Sequence, residues 1–363
     1  MGKKTRGRKS DHIRIALNED VEVRLDAGWE DIHLLHNPLP EIDLSEVDLS
    51  TSFLGKGLKY PFVISALTGG CEEASHINET LAVVASEFGI AMEIGSQRIL
   101  LEERDWEWTY SIARKVSPDI LLMANIGAPQ VVAEKDRERV ESLVEMLKAD
   151  ALVIHLNFLQ EAVMVDGEPK ARGCLSAIEM LASSLSVPVI VKETGAGIPQ
   201  DLAKRLKELN VSALDIGGAG GTSMALIESF RSKKAPNPIY ERLGRTYSRW
   251  GIPTPVSILG ARQAGLSLIA SGGIRTGLDA AKAIALGADL VGVARPMLQA
   301  AVKGREEVRS YLKAFFLELR VGMFLCGALT IADLKGKRVL ITGHTKEWLE
   351  GLGLRGIPWQ PSP

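Results

Sequence analysis

SLIASGGIRTGLDAAKAIALGADLVGVA, residues 267–294, contains one full repeat of the architecture. An apolar run, SLIAS, stops at a glycine-rich turn, SGGIRTG. A helical pattern, GLDAAKAIALGA, follows and leads into a second apolar run, DLVGVA. Neither run alternates with polar residues, as expected of parallel strands buried on both faces. The stretch between them is long enough for a helical crossover. This βαβ reading predicts strands at 267–271 and 289–294.

The same unit recurs upstream. Apolar runs at 61–65 (PFVIS), 88–94 (FGIAMEI), 119–125 (DILLMAN), 151–157 (ALVIHLN), 187–193 (VPVIVKE) and 213–217 (ALDIG) bring the count to eight strands. Helical patterns such as SHINETLAVVASEFG, DRERVESLVEMLKA and QDLAKRLKELN lie between them. Eight βα units in about 250 residues is the rhythm of a (β/α)8 TIM barrel. A doubly wound dinucleotide fold would carry an early G-x-G-x-x-G turn, and the first strand is followed by ALTGGCEE instead. Two parts fall outside the rhythm. Residues 1–60 form an N-terminal extension packing on the barrel of 61–335. Residues 223–262 interrupt the sixth unit with a polar, Pro-containing insertion expected to include a mobile lid or loop. Residues 336–363 form a C-terminal tail without a recognisable motif.

The bulk composition narrows the function. The chain has 363 residues, 46% hydrophobic and 24% charged, within the usual range of a soluble globular protein. A net charge of −2 argues against an electrostatic nucleic-acid binder. No apolar run suits a bilayer span or a signal peptide, so the expected location is the cytoplasm, without a membrane partner. Cys71, Cys174 and Cys326 are odd in number and far apart, which fits packing residues in a reducing compartment. The basic cluster KKTRGRKSDH, 3–12, divides: Lys3 to Arg6 read as a solvated, frayed tail, whereas Arg8, Lys9 and His12 lie close enough to the following segment to serve an anion site.

In a barrel of this kind the chemistry sits at the C-terminal ends of the strands. Those ends are ALTGG (66–70), EIGSQR (93–98), NIGAPQ (125–130), HLNFLQEA (155–162), KETGAG (192–197), GGAGGTS (217–223), SGGIRTG (271–277) and ARP (294–296). All eight are polar or glycine-rich, and together they describe a ring of donors around one site. Glycine at the sixth to eighth ends suits tight turns with positive φ. It also suits a phosphate cradle of backbone N–H groups opening a helix, and neighbouring barrel positions favour that second reading. Lys192 ends a buried run, where an unpaired ammonium is costly. It is either a Schiff-base amine or a cation facing an anion, and beside a phosphate cradle a flavin is the simpler partner. Arg98, His155, Arg8, Lys9 and His12 form a second basic group. Glu161, a lone carboxylate among them, suits either an ordinary helix first turn or a hard Mg²⁺ shared with phosphate oxygens.

These motifs resemble those of the type 2 isopentenyl diphosphate isomerases, FMN-dependent barrel enzymes, from about residue 8 to about residue 335. RKSDHI (8–13), HNPLPEIDLSEVDLSTSFLGK (36–56), TGG (68–70), GSQR (95–98), NIG (125–127), HLNFLQE (155–161), KETGAG, GGAGGT (217–222), WGIPT (250–254) and ASGGIRTGLD (270–279) carry the likeness. GSQR with HLN-x-x-QE is its specific part, while the glycine loops are shared with many FMN barrels. Thr194 stands where many relatives have serine, a change that keeps the hydroxyl. The resemblance implies that Arg8, Lys9, Arg98, His155, Asn157 and Gln160 bind the substrate, and that Glu161 ligates Mg²⁺. It further implies that Ala66, Leu67, Thr68, Ser96, Asn125, Lys192, Thr222, Gly272, Gly273, Arg275, Ala294 and Arg295 hold FMN. Gln160, His155 and Lys192 are then nearest the chemistry, with Gln160 beside the isoprenoid carbons. The implied reaction converts isopentenyl diphosphate to dimethylallyl diphosphate in isoprenoid biosynthesis, with FMN kept reduced by NADPH and the chain assembled as a homotetramer or homo-octamer. Reduced FMN itself is the expected acid–base group, because HLNFLQEA offers no useful one.

Three other readings stand beside this one. An FMN-dependent 2-hydroxy acid oxidase wants a histidine base on the late loops, and no histidine lies between 156 and 343. An IMP dehydrogenase-like enzyme needs a cysteine after the sixth strand, and GGAGGTS has none. A non-catalytic flavin-binding barrel would take up flavin without turning over a prenyl diphosphate.

Overall fold

The computed structural model describes residues 2–22, 27–132, 136–233 and 237–354. Eight parallel strands close into a barrel: β1 Phe62–Ile64, β2 Ala91–Glu93, β3 Leu122–Gly127, β4 Ala151–Leu156, β5 Val189–Glu193, β6 Ala213–Asp215, β7 Ser267–Ser271 and β8 Leu290–Val293. Closure comes from pairing of β8 with β1, Val291 opposite Phe62 and Val293 opposite Ile64. The fold is the expected (β/α)8 barrel, and each strand falls within or beside its predicted run.

Strand residues alternate between two cores. Leu152 and Ile154 face the surrounding helices, while Ala151 and Val153 point into the barrel with Val63, Ala91, Met123, Ile190, Ala213, Ile269 and Leu290. The hairpin Thr51–Phe53 and Lys56–Leu58 adds Phe53 and Leu58 to this inner cluster. Side chains therefore fill the barrel below the mouth, and an open site is left only above them.

The segments outside the barrel rhythm differ from expectation in two places. The N-terminal basic cluster lies on a helix, Gly2–Asn18, rather than in a frayed tail; the side chains of residues 2–6 are outside those described. That helix packs on the helices Met224–Ser232 and Arg295–Ala301 near the mouth. The insertion is also largely helical, with Met224–Ser232 and Pro238–Thr246 packed on each other, while 234–236 lie outside the described residues. Ser223 caps the first of these by accepting the Leu226 N–H, and Pro238 starts the second. The helix Thr254–Ala261, buried along its whole length, serves as the sixth unit's own crossover, so the true insertion ends before it. Past residue 336, Val339–Ile341 pairs antiparallel with Ile32–Leu34, and the helix Gly343–Gly351 follows.

Candidate active site

The inward parity of each strand decides what lines the mouth. Two residues beyond the last apolar inward position come Ser65, Glu93, Asn125, His155, Lys192, Asp215, Ser271 and Gly292, one from each barrel strand or its end. Ladder pairing sets His155 beside Lys192, Lys192 beside Asp215, and Ser271 beside Gly292. The uppermost interior layer is thus wholly polar or glycine, above layers that are wholly apolar. A Cβ on Gly292 would meet Ser65 Oγ at 2.5 Å and Ser271 Cβ at 3.0 Å, so the layer closes only with glycine there.

Six side chains of this layer, all but Ser65 and Gly292, are linked by hydrogen bonds and one ion pair, while the Ser65 hydroxyl is buried without a partner. Lys192 Nζ donates to Asp215 Oδ2 and lies 3.8 Å from Glu93 Oε2. Ser271 donates to Asp215 Oδ1. Glu93 accepts the Ala66 N–H at 2.9 Å and the Asn125 amide at 2.5 Å, and Asn125 Oδ1 meets His155 Nδ1 at 2.8 Å. Burial by itself would lower the Lys192 pKa, but Asp215 and then Glu93 outweigh it and hold the ammonium above its ordinary value. Burial likewise pushes the Glu93 carboxyl up, against the pull of Lys192. His155 is driven down to about 3, by burial first and then by Lys192, Lys9 and Arg98. It is therefore a neutral imidazole and adds no charge to the second basic group.

Above the layer lies a cavity of about 320 Å³, near the small end of ligand sites. The N-terminal helix lends it Arg8, Lys9 and His12; His12 stands four residues from Arg8 and three from Lys9, the spacings that bring side chains together on a helix surface. Lys9 Nζ donates to Ser96 O at 2.5 Å and to Tyr110 Oη at 2.8 Å, and burial lowers its pKa to about 7. His12 meets Glu228 at 2.9 Å, and Glu228 also accepts from Gln160 (2.8 Å) and Arg231 (2.6 Å). Burial would raise Glu228, but His12 and Arg231 hold it down at about 2. Glu161, 4% exposed, faces Arg98 at 3.4 Å and the Asn157 amide at 3.1 Å and accepts the Glu168 N–H at 2.8 Å. Asn157 Oδ1 is buried without a partner beside it.

Opposite, the loops after β6, β7 and β8 meet through glycine. Gly217, Gly220, Gly272 and Gly273 all have positive φ, and a Cβ on Gly272 would lie 2.2 Å from Gly218 O. After β7 the chain enters the helix Gly277–Ala285 through a capping box of Thr276 and Asp279. Asp279, Thr276 and Glu318 thereby take the N–H groups at the start of that helix, so a phosphate would have to be held by the glycine turns ahead of it. Arg275 and Arg295 both donate to Glu22, at 2.9 and 2.8 Å, and Arg295 also to Ala16 O, so their guanidinium groups tie the N-terminal segment to the cradle.

Each sequence-predicted site residue lines this one cavity: Arg8, Lys9, Arg98, His155, Asn157, Gln160 and Glu161 from the basic side, Ala66, Leu67, Thr68, Ser96, Asn125 and Lys192 from the centre, and Thr222, Gly272, Gly273, Arg275, Ala294 and Arg295 from the cradle. Sequence reasoning missed Glu93, Asp215 and Glu228. The signal for the first two was present, since each is a carboxylate at inward parity in an apolar run; Glu228 sits on an insertion helix and gave none. The residues fit FMN, because a cation held between carboxylates lies beside a glycine cradle. They also fit a hydrated Mg²⁺, because a buried carboxylate stands beside the orphaned Asn157 oxygen. Among the described residues no cluster of three or more His, Cys, Asp or Glu could hold a metal without further ligands.

Comparison with known proteins bears on this geometry. The sequence pattern of the FMN-dependent dehydrogenase family matches residues 102–341. An isopentenyl-diphosphate delta-isomerase of Methanosarcina mazei is 44% identical over 96% of this chain and 95% of its own length. The protein of that name from Ignicoccus hospitalis is 42% identical over 95% and 96%. Among solved structures, a lactate oxidase of Pediococcus acidilactici superposes with a TM-score of 0.68 at 16% identity, covering 94% of each chain. A mandelate oxidase superposes with 0.59 at 17%, over 92% of this chain and 93% of its own. Likeness at that identity speaks for the barrel alone.

Proposed function

The chain belongs to the isopentenyl-diphosphate delta-isomerase family, within the wider FMN-dependent dehydrogenase family, and from that premise we propose that it converts isopentenyl diphosphate to dimethylallyl diphosphate with reduced FMN and Mg²⁺. The observation that carries the proposal is that one cavity is lined by basic side chains on one side and by glycine loops on the other. One half would take the FMN phosphate at the glycine loops and the isoalloxazine edge at Lys192, Asn125, Ser96 and Thr68. The other would take the substrate diphosphate at Arg8, Lys9, Arg98, His155 and Asn157, with Mg²⁺ on Glu161.

FMN, kept reduced by NADPH, would supply the acid–base group that the protein lacks. The chain's own residues do the rest. Lys192 balances negative charge at the cavity floor. Gln160, fixed by Glu228, orients the isoprenoid carbons, and the N-terminal helix covers the mouth against water. A homotetramer or homo-octamer in the cytoplasm belongs to the same proposal; no described helix is long and apolar enough to cross a membrane.

The test is incubation of the protein with isopentenyl diphosphate, Mg²⁺, FMN and NADPH under anaerobic conditions, with product identification. Dimethylallyl diphosphate is expected. Its absence, together with hydrogen peroxide formed from lactate or mandelate in a separate aerobic assay, would favour the oxidase reading. Full turnover with oxidised FMN and no reductant would remove the flavin's part.

Lys9 adds a pH prediction. With its pKa near 7, the ammonium is charged below that value and loses its charge as pH rises through it. If only the cation binds, calorimetry between pH 7.5 and 9 should show isopentenyl diphosphate affinity falling by up to about tenfold per unit. Lys9→Met should bind more weakly and lose most of that slope; an unchanged slope would exclude Lys9 as its source.

A further inference from the structure

We infer that Glu93 is a positioning residue that sets which nitrogen of His155 carries the proton, acting through the side-chain amide of Asn125. Glu93 is 3% exposed, and each of its described polar contacts presents a donor or a positive charge. Oε2 accepts the Ala66 N–H and faces Lys192, and Oε1 accepts Asn125 Nδ2. A carboxylate accepts only, so Asn125 must turn its NH₂ toward Glu93 and its carbonyl oxygen toward His155. That oxygen has no proton to give. The 2.8 Å contact therefore requires His155 Nδ1 to be the donor, and the neutral ring carries its lone pair on Nε2, beside Gly127.

The groups facing the ring agree. Lys192 lies beside it on the neighbouring strand, Lys9 comes from the N-terminal helix and Arg98 from the end of β2; all three oppose a second proton. Asn125 and, behind it, Glu93 are its partners on β3 and β2. The consequence rests on the diphosphate reading above: in the free protein Nε2 is an acceptor, and it becomes a donor to a phosphate oxygen only after gaining a proton. Glu93 thus serves both halves of the site, one oxygen turned toward Lys192 and the other setting the state of His155.

The test reads the imidazole directly, on full-length protein without substrate, so its result is independent of the isomerase assay. Two-bond ¹H–¹⁵N correlation spectra at pH 7, with His155 assigned by loss of its signals in His155→Gln, should show a protonated Nδ1 and an unprotonated Nε2. An Nε2–H tautomer, or a cationic ring, would overturn the inference whatever the variants do. In Glu93→Gln the amide at position 93 can offer either a donor or an acceptor, so the Nδ1–H signal should be lost or give way to a mixture. Unchanged Nδ1–H in a folded Glu93→Gln protein would also overturn it. Should that variant fail to fold, Asn125→Ala breaks the same link and should release the same tautomer.

Discussion

Lys192→Met is expected to abolish FMN retention and isomerase turnover together, and to lower the unfolding free energy by about 3–5 kcal/mol. Lys192 is 7% exposed and is the only cation that the described contacts place against Asp215 and Glu93. Methionine fills a similar volume, so the loss is one of charge more than of packing. It leaves two buried carboxylates a short distance apart with no compensation, an arrangement that costs far more than a lost surface pair. The pH dependence has a definite sign. In the native protein the Lys192 pKa is raised, so its contribution to stability is complete below the ordinary lysine value and lost only as pH climbs through the folded one. That contribution should not change between pH 5 and 9. In the variant the Glu93 carboxyl, already raised by burial, goes higher without the ammonium. A group with a raised folded-state pKa takes up protons on folding, so the variant should recover stability as pH falls. Urea unfolding at pH 5 and pH 8, with flavin absorbance after gel filtration, measures both effects. A variant that keeps its flavin and unfolds within 1 kcal/mol of the parent would show that the carboxylates do not depend on Lys192.

The barrel was legible because its signal is redundant. Eight apolar runs, each followed by a polar or glycine-rich end, leave few topologies open, and errors of a residue or two at strand ends do not alter the count. The cavity lining was legible for the same reason, since strand ends converge in this fold. Glu93 and Asp215 were missed because a strand read only as apolar hides the one inward position that is not. Extending the parity of Ala91 to 93 and of Ala213 to 215 reaches both. The helices of the insertion went unread because Pro and basic residues mark its turns, while the apolar faces of its helices are satisfied by each other and by the N-terminal helix. Such pairings are tertiary facts that local composition does not encode. The protonation state of His155 is further still from sequence, since it depends on an amide on one strand oriented by a carboxylate on another.

Glu161→Gln tests the other half of the site, and its expected signature is a loss of turnover of about 100-fold or more with FMN binding unchanged. All the partners of the Glu161 carboxylate are donors: Arg98, the Asn157 amide and the Glu168 N–H. Glutamine can satisfy only one side of that set, because its NH₂ must face either Arg98 and Asn157 or the Glu168 N–H. A donor is thereby turned against a donor in a buried place. The substitution also removes the carboxylate proposed as the ligand of a hydrated Mg²⁺, whose remaining ligands would be water and substrate phosphate oxygens. Both effects weaken the diphosphate half, whereas the glycine loops and Lys192 are not among the contacts of Glu161. Flavin titration should therefore match the parent while the Mg²⁺ dependence of turnover flattens. Arg98 separates the two causes. Arg98→Gln removes one donor facing Glu161 and spares the carboxylate, so it should weaken substrate affinity but leave activation by Mg²⁺ intact. Turnover by Glu161→Gln that still rises with Mg²⁺ to the parent level would place the metal elsewhere and leave Glu161 as a counter-charge that holds Arg98 before the substrate arrives.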